Sequence, residues 1–365
     1  MLSDASTFFS ATYAQARAEF LETCTSLKLA VESHIHPERG SEGEELATDV
    51  TRIGPDDASH VLFTMSATHG VEGFCGSGAQ IGALRSGLYD NLPDGMAVVL
   101  IHAINPHGFS WLRRVTHENV DLNRNHLDHS QPYPVNAGYE ELQHAICPTE
   151  WTPQARARAE TTLQAYADKH NAMALQGAIS GGQYNHPEGV FFGGKATTWS
   201  AKTMHNVVAK HAKHARHIGL IDYHTGLGPY GYGELISDHL LDEPGHPRLV
   251  SWLGESEVTN TDDGSSASAP LTGVNSQCIA NAASHATLSM VTAEFGTSPV
   301  DQVLGSLRAD CWLHNHGDLD SEQGRTIKTE IRRCFYPDAD DWKAMVWERT
   351  SDTERKMMAG LATLA

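Results

Sequence analysis

Two patterns of apolar residues alternate along the chain: short runs of strand length, and longer segments with apolar residues at helical spacing. Runs such as 60–68 (HVLFTMSAT) and 97–104 (AVVLIHAI) are typical of strands buried on both faces. Strands are predicted at 45–53, 60–68, 97–104, 217–223 and 288–293. Helices are predicted at 4–30, 78–88, 153–177, 197–215, 298–313, 321–334 and 338–364, and the segment 268–284 is predicted to end in a helix. The alternation predicts an α/β fold with a mainly parallel sheet that helices cover on both faces.

A single domain is predicted over residues 1–365, with a helical C-terminal tail at 321–365, because no repeat or Pro-, Gly- or Ser-rich linker divides the chain. No stretch reaches the ~18 apolar residues of a membrane helix, and residues 1–20 lack the pattern of a secretory signal. The six cysteines are far apart, without C-x-x-C spacing, which favours reduced, mostly buried thiols. We therefore expect a cytoplasmic protein, for which a homo-oligomer is an open alternative.

The charge balance bears on the partners of the protein. Lys and Arg number 26 against 45 Asp and Glu, which gives a formal net charge of −19. Nucleic acids and anionic membranes attract clustered Lys and Arg, so neither is expected as a partner. The 22 histidines direct attention to metal binding, because imidazole is a common metal ligand.

A histidine and a glutamate follow the strand predicted at 60–68. His69 and Glu72 lie three residues apart in a turn with two glycines, His69-Gly-Val-Glu72-Gly. An imidazole nitrogen and a carboxylate oxygen suit Zn²⁺. Taken alone the spacing is a weak signal, because a surface turn with Glu72 at a helix N-terminus explains it as well.

His224 follows the strand predicted at 217–223, in the segment Asp222-Tyr-His224-Thr-Gly. Asp222 and His224 share one face of the strand, so Asp222 is a candidate to orient the histidine. Together with His69 and Glu72, His224 completes two histidines and one carboxylate, a catalytic zinc set with a fourth position left for water. The same set suits non-haem Fe(II), which keeps an oxygenase as an alternative.

Glu294 ends the third strand of this kind, within Glu294-Phe-Gly-Thr. A carboxylate is costly to bury without a partner, so its position calls for an explanation. Beside a metal-bound water it is a candidate general base. The alternative is a Glu that is paired or faces solvent.

Arginines cluster after the strand predicted at 97–104. Arg113 and Arg114 follow the segment Asn105-Pro-His-Gly, and Asn123 and Arg124 follow in Asp121-Leu-Asn-Arg-Asn. Guanidinium groups bind carboxylates through two hydrogen bonds and stabilise oxyanions. An anion site is the functional interpretation, and surface ion pairing is the alternative.

The candidate metal ligands and Glu294 follow three predicted strands, at the edge where open α/β sheets gather their ligands. With these segments the chain resembles the zinc carboxypeptidase superfamily, which contains carboxypeptidase A-like enzymes and the succinylglutamate desuccinylase and aspartoacylase branch. Within it the chain is most similar to a bacterial group. The matching segments, in family order, are 69–73, 105–108, 121–125, 222–226 and 294–297, and the segments at 182–189 and 226–233 look typical of the bacterial group.

The resemblance implies a mixed, mostly parallel sheet of about eight strands flanked by helices, with one Zn²⁺ per chain. It implies that His69, Glu72 and His224 bind the metal and that Glu294 is the general base. It also implies a helical insertion near 126–200 that shapes or covers the pocket.

The resemblance assigns further roles around the metal. Arg114 matches the arginine that polarises the scissile carbonyl, with Arg113 as the competing assignment and a further candidate for substrate binding. Asn123 and Arg124 match the pair that grips a substrate carboxylate. The mobile tyrosine of carboxypeptidases has three candidates in Gly-rich loops, Tyr184, Tyr230 and Tyr232, and Tyr232 is included among the substrate-binding residues.

These residues lead us to expect a zinc hydrolase that cleaves an amide bond next to a free carboxylate. The expected substrate is a small anionic amide or peptide, either a short peptide or an N-acyl amino acid. A carboxypeptidase of longer peptides is the nearest alternative. A non-catalytic binding protein on the same fold and an Fe(II) oxygenase are alternatives of a different class.

Overall fold

A computed structural model describes residues 5–365 of the chain. Within them the strands are β1 (Val31–Arg39), β2 (Glu45–Ile53), β3 (His60–Met65), β4 (Met96–His102), β5 (His217–Tyr230), β6 (Gly233–Ser237), β7 (Val258–Asn260) and β8 (Thr287–Gly296). The α-helices are α1 (Tyr13–Ser26), α2 (Gly73–Arg85), α3 (Pro106–Ser110), α4 (Ala137–Ile146), α5 (Pro153–His170), α6 (Ala172–Ser180), α7 (Trp199–His211), α8 (Gly245–Leu253), α9 (Asn275–Ala282), α10 (Val300–His316), α11 (Glu322–Phe335) and α12 (Asp340–Leu361).

All eight strands of the described chain join one sheet in the order β1-β2-β4-β3-β5-β8-β6-β7. The central strands β4, β3, β5 and β8 are parallel to one another. Antiparallel pairing adds β1 and β2 at one edge, and β6 joins β8 antiparallel at the other. The prediction of a mixed, mostly parallel sheet of about eight strands flanked by helices is therefore confirmed.

The central strands separate two layers of the core, which explains their continuous apolar sequences. Leu62 and Leu100 pack into the layer that contains α2 and α12. Their neighbours Val61 and Val99 point to the opposite face and pack into the layer with α7 and α9. Successive residues of a strand face opposite sides, so every position of β3 and β4 is buried and apolar residues are favoured throughout.

Several elements differ from the prediction. The edge strand β1 was not predicted because its sequence, VESHIHPER, is largely polar and half-exposed. The short strands β6 and β7 and helix α8 were missed as well. The predicted helix at 4–30 is a 3-10 turn followed by α1, whose N-cap is Thr12, and residue 4 lies outside the described residues. Helix α2 begins at Gly73 rather than 78, directly after Glu72.

Residues 126–200 and 321–365 both contain helices, but the two regions pack differently. Residues 126–200 contain α4, α5 and α6, which pack against one another and against α10. The segment expected as a C-terminal tail is part of the core: Trp342, Val346 and Met357 of α12 are fully buried in the layer with α2. No helix in residues 5–365 combines the length and apolar character needed to cross a membrane.

Candidate metal centre

The turn that carries His69 and Glu72 is fixed by the loop after α3. Strand β3 ends at Met65, and Ala67 has a left-handed backbone with φ of 61°, a strained conformation of a kind found at functional sites. Beyond it, the amides of Gly70 and Val71 donate to the carbonyls of Arg114 (3.1 Å) and Arg113 (2.9 Å). A Cβ on Gly70 would lie 1.9 Å from the carbonyl carbon of Gly108, so this contact requires glycine.

His69, Glu72 and His224 bring three ligand atoms to one point. The Nδ1 atoms of the two histidines are 3.1 Å apart. The Glu72 carboxylate lies 2.9 Å from Nδ1 of His69 and 3.1 Å from Nδ1 of His224. All three side chains are buried. These residues are called the metal group below.

The opposite nitrogens of the two imidazoles determine which atoms face the centre. Nε2 of His69 lies 3.1 Å from Asp121, and Nε2 of His224 lies 2.9 Å from Asp222. If each neutral imidazole donates its N–H to its carboxylate partner, both Nδ1 lone pairs face each other and Glu72. Three electron-rich atoms at such short distances favour a bound cation, and two imidazoles with one carboxylate fit Zn²⁺.

The charges around the metal group stabilise one another. Burial alone would raise the pKa of Glu72, but His69 and His224 outweigh it and lower that pKa. Burial likewise opposes the charged form of His224, yet Asp222 and Glu72 raise its pKa. The pKa of Asp121 is held well below its usual range, against the effect of burial, by Arg114, Arg124 and His69.

Asp222 is held in place by two residues besides His224. Thr68 donates to it at 2.8 Å, and the side-chain amide of Asn275 donates at 2.7 Å. The orienting role suggested for Asp222 from its position next to His224 has this geometric basis. The corresponding partner of His69, Asp121, was not assigned a role from sequence. Its signal was its place in the segment 121–125, where only Asn123 and Arg124 received roles.

Arg114 lies beside the metal group. Its Nη1 contacts Glu72 at 3.2 Å, and its Nε donates to Asp121 at 3.0 Å. The guanidinium also lies over the ring of Phe191, 5.1 Å from the centroid. Burial would lower the pKa of Arg114, but Asp121 and Glu72 raise it. A permanent positive charge is thus fixed next to the candidate metal position.

Glu294 lies across from His224 on the adjacent parallel strand, at the same level of the sheet. Its Oε1 accepts a hydrogen bond from the amide of Leu227 at 2.9 Å, and its side chain is buried. Burial first, and then the charge of Glu72, raise the pKa of Glu294 to about 8. A buried carboxyl at this position is a candidate to accept and return a proton.

A cavity of about 910 Å³ opens onto this group. The metal-group histidines, Arg114 and Glu294 line it together with Asn123 and Arg124. Helices α5, α6 and α10 form part of the remaining walls, and segments between residues 225 and 243 and between 261 and 274 form much of the rest. The apolar part of these walls contains Leu163, Leu175, Ile179, Val303 and Leu307.

Two proposed substrate-binding residues lie elsewhere. The buried guanidinium of Arg113 bonds Asp310 (3.2 Å) and Asn119 (2.9 Å), and it does not line the cavity in the described chain. Tyr232 is 44% exposed and lies against Arg349, again away from the cavity walls that the structure describes. The structure therefore places Arg114 rather than Arg113 at the metal group and gives Tyr232 no place in the cavity.

The hydroxyls of the other two tyrosines considered from sequence are bonded to protein groups, and neither tyrosine lines the described cavity. The hydroxyl of Tyr184 donates to the backbone carbonyl of Arg124 at 2.8 Å, and that of Tyr230 donates to Asp341 at 3.1 Å. Among the described residues that line the cavity there is no tyrosine. A counterpart of the mobile tyrosine of carboxypeptidases is thus not identified in this arrangement.

The fold is similar to that of solved carboxypeptidases. Carboxypeptidase A from Helicoverpa armigera matches 97% of this chain and 74% of its own length, at 14% identity and a TM-score of 0.54. Bovine thrombin-activatable fibrinolysis inhibitor, in complex with a tick carboxypeptidase inhibitor, matches 93% and 97% at 10% identity and a TM-score of 0.43. An aspartoacylase family protein from Mesorhizobium loti matches 80% and 68% at 12% identity and a TM-score of 0.37. No curated protein matches the sequence significantly.

The resemblance to the zinc carboxypeptidase superfamily is confirmed at the level of the fold. At sequence level, the family model DUF2817, described as "Protein of unknown function", matches residues 9–349. That match contains the whole metal group and all eight described strands of the sheet. The chain therefore belongs to the DUF2817 family and has a zinc carboxypeptidase-like fold.

Proposed function

We propose that the protein is a zinc-dependent hydrolase that cleaves an amide bond next to a free carboxylate, in a small peptide or an N-acyl amino acid. The observation that carries the proposal is the convergence of the metal group, Arg114 and Glu294 in one cavity. The fold shared with carboxypeptidase A supports a hydrolase.

The metal group would hold one Zn²⁺ per chain, which when bound supplies Lewis acidity and makes a coordinated water acidic. Asp121 and Asp222 keep the two imidazoles in the ligand orientation through Nε2. Glu294 accepts the proton of the attacking water at its carboxylate and passes it to the leaving nitrogen. The amide of Leu227 fixes one carboxylate oxygen of Glu294 for this transfer.

Arg114 is placed to stabilise the negative charge that develops on the carbonyl oxygen. Asp121 and Glu72 hold its Nε and Nη1, whereas its Nη2 has no hydrogen bond within residues 5–365. A cation fixed before the reaction costs little reorganisation and stabilises an oxyanion more than the neutral carbonyl.

The substrate carboxylate would bind at Arg124. Its Nη atoms donate to the backbone carbonyls of Asn123 (2.8 Å) and Ser180 (2.7 Å), and its buried Nε has no partner among the described residues. No carboxylate bonds this guanidinium directly in that part of the chain, and burial, opposed by Asp121, lowers its pKa. An anionic ligand would give the guanidinium a charged partner and its Nε an acceptor, which supports an anionic substrate.

The size of the cavity accommodates either substrate class, and its apolar walls suit an aliphatic or aromatic group. Assays with Zn²⁺ restored, using carboxybenzoyl dipeptides on one side and N-acetyl or N-succinyl amino acids on the other, separate the two classes. Zinc-loaded protein that turns over neither class contradicts the hydrolase proposal. Stoichiometric iron with little zinc in protein purified without added metal would favour the oxygenase alternative.

Glu294→Gln tests the assignment of the base. We expect retained zinc and a loss of roughly 10²–10⁴-fold in kcat, because the variant removes the base but no ligand. Glu234→Gln is the matched control, because Glu234 is the residue opposite Glu294 on the adjacent antiparallel strand β6. Its Oε1 accepts hydrogen bonds from the Thr259 hydroxyl and the Ala267 amide, and the amide oxygen of glutamine can still accept both. His224→Ala should lose the metal itself. Near-normal kcat in Glu294→Gln rules out this base.

A further inference from the structure

Two cysteines that are distant in sequence meet beside a second cavity. Cys147 follows α4, Cys311 lies in α10, and their sulfurs are 4.0 Å apart although 164 residues separate them. Both line a cavity of about 280 Å³ together with Pro148, His186 and Asn315. All six cysteines are free. Of these two, Cys147 is half-buried and Cys311 is buried, so a small reagent in the cavity reaches Cys147 first.

The surroundings of Cys147 favour a thiolate. Its sulfur accepts a hydrogen bond from the amide of Val190 (3.4 Å) and lies 3.5 Å from the hydroxyl of Tyr139. The thiol of Cys311 lies within hydrogen-bond reach of that sulfur. This contact first, followed by Tyr139, the Val190 amide and the charge of Arg308, lowers the pKa of Cys147 to about 6, although burial opposes the shift.

The pKa of Cys311 is shifted in the opposite direction from that of Cys147. Its sulfur lies 3.1 Å from the backbone carbonyl of Glu188, which is an alternative acceptor to the Cys147 sulfur for its single S–H. The hydrogen bond with Cys147 first, and then burial, raise the pKa of Cys311 well above its usual range. The pair therefore combines a thiolate with a protonated thiol, which is the arrangement of an attacking and a resolving cysteine.

We propose that Cys147 and Cys311 form a redox-active dithiol, a modification site at which a hydroperoxide converts the two thiols into a disulfide. The Cys147 thiolate attacks the outer oxygen of the hydroperoxide and becomes a sulfenic acid, while the O–O bond breaks and an alkoxide or hydroxide leaves with a proton from solvent. The Cys311 sulfur then attacks the sulfenic sulfur. Its proton leaves with the hydroxyl as water, and the S–S bond forms.

Formation of the bond requires a local movement. A disulfide is about 2.05 Å long, so the sulfurs must approach by about 2 Å. Cys147 lies in the segment between α4 and α5 rather than in a helix, where such a shift disturbs few backbone hydrogen bonds. Dithiothreitol reverses the reaction through thiol exchange.

The disulfide would link the end of α4 to α10, and α10 is one of the walls of the large cavity. Arg308 of α10 already donates to the carbonyls of Ala145 and Ile146 at the end of α4, and it also lines that cavity. A covalent link between Cys147 and Cys311 fixes the insertion against α10 at the same place. The proposal of a redox-active dithiol does not depend on the proposed amide hydrolysis.

The test uses the full-length wild-type protein, reduced and then exposed to hydrogen peroxide at neutral pH. The expected product has lost two hydrogens and gives, without reductant, a cross-linked peptide pair containing residues 147 and 311; dithiothreitol restores the free thiols. Six thiols that stay free, a stable sulfinic acid on Cys147 without a cross-link, or a cross-link between other cysteines would each overturn the proposal.

Alkylation provides a second measurement that does not need a variant. Iodoacetamide at pH 7 should modify Cys147 roughly 100-fold faster than Cys278, because the pKa of Cys147 is about 6 and burial raises the pKa of Cys278 to about 12. Cys147→Ser and Cys311→Ser should each abolish the cross-link, whereas Cys278→Ser should leave it unchanged. Equal labelling of Cys147 and Cys278 in the wild type contradicts a thiolate at Cys147.

Discussion

Asp121→Asn isolates the contribution of a residue that touches no metal but connects two parts of the site. The carboxylate accepts three hydrogen bonds, from His69 Nε2 (3.1 Å), Arg114 Nε (3.0 Å) and the amide of Asn123 (3.0 Å). Asparagine has the same shape but only one acceptor oxygen. Either orientation of its amide therefore turns an N–H group towards His69 or towards Arg114.

The magnitude follows from the lost contacts. Loss of the carboxylate partner of a ligand histidine weakens metal binding by about 10–100-fold, equivalent to about 1.4–2.7 kcal/mol. Loss of one hydrogen bond to a charged group destabilises the metal-free protein by about 1.5–3 kcal/mol. Because Arg114 loses its charged carboxylate partner in either orientation, kcat should fall even at saturating zinc.

The measurement is the zinc dissociation constant by competition with a chromophoric chelator, together with thermal unfolding of the metal-free and loaded protein. Asp128→Asn is the control, because Asp128 is exposed and bonds Ser130. A folded Asp121→Asn variant with wild-type zinc affinity would refute the view that Asp121 orients His69, and with it the assignment of Nδ1 as the ligand atom.

Three further predictions concern packing, pH and the two adjacent arginines. Gly70→Ala should lower the free energy of unfolding by about 3 kcal/mol or more and weaken metal binding. Gly177→Ala is the control and should be neutral or stabilising, because a Cβ at this position meets no atom within 4 Å. Equal melting temperatures of the two variants would contradict the close contact at Gly70. Burial raises the pKa of Glu354 to about 7, although the hydroxyls of Tyr223 and Tyr89 oppose the shift. The protonated carboxyl therefore contributes up to about 3 kcal/mol to the free energy of unfolding below pH 4.5, and this contribution is lost as the pH rises through 7. Glu354→Gln should remove this part of the pH dependence in denaturant titrations from pH 5 to 8, and a curve parallel to wild type disproves it. Arg113→Lys should lower the melting temperature, because an ammonium group cannot bond Asp310 and Asn119 at once as the guanidinium does, while kcat is retained. The reverse outcome would return the catalytic assignment to Arg113.

The fold class was predictable because the central strands are buried on both faces. Every residue of β3 and β4 is buried, so their apolar runs were visible without knowledge of their partners. Edge strand β1 has no such pattern, because one of its sides is solvated, and β6 and β7, with five and three residues, are too short to show one. Their pairing depends on neighbours distant in sequence.

The metal group was predictable for a related reason. His69, Glu72, His224 and Glu294 each lie at or just beyond the end of an apolar run, and the ends of parallel strands meet at one edge. Their relative position therefore follows from local pattern plus the rule of parallel pairing. The orienting role of Asp222 could be suggested because it lies two residues from His224.

Only the tertiary structure decided which residues complete the site. Asp121 and His69 are 52 residues apart, and Asn275 and Asp222 are 53 apart, so nothing in the local sequence pairs them. Arg113 and Arg114 are adjacent and chemically identical, yet one bonds Asp310 and the other Glu72.

The sequence by itself thus determined the α/β class and the strand-end positions of the candidate ligands, because burial and periodicity are local properties of the chain. The tertiary structure decided the partners of those ligands, the separation of the two arginines and the meeting of Cys147 with Cys311. These contacts depend on the path of the loops and of the inserted helices, which bring together side chains that no local periodicity relates.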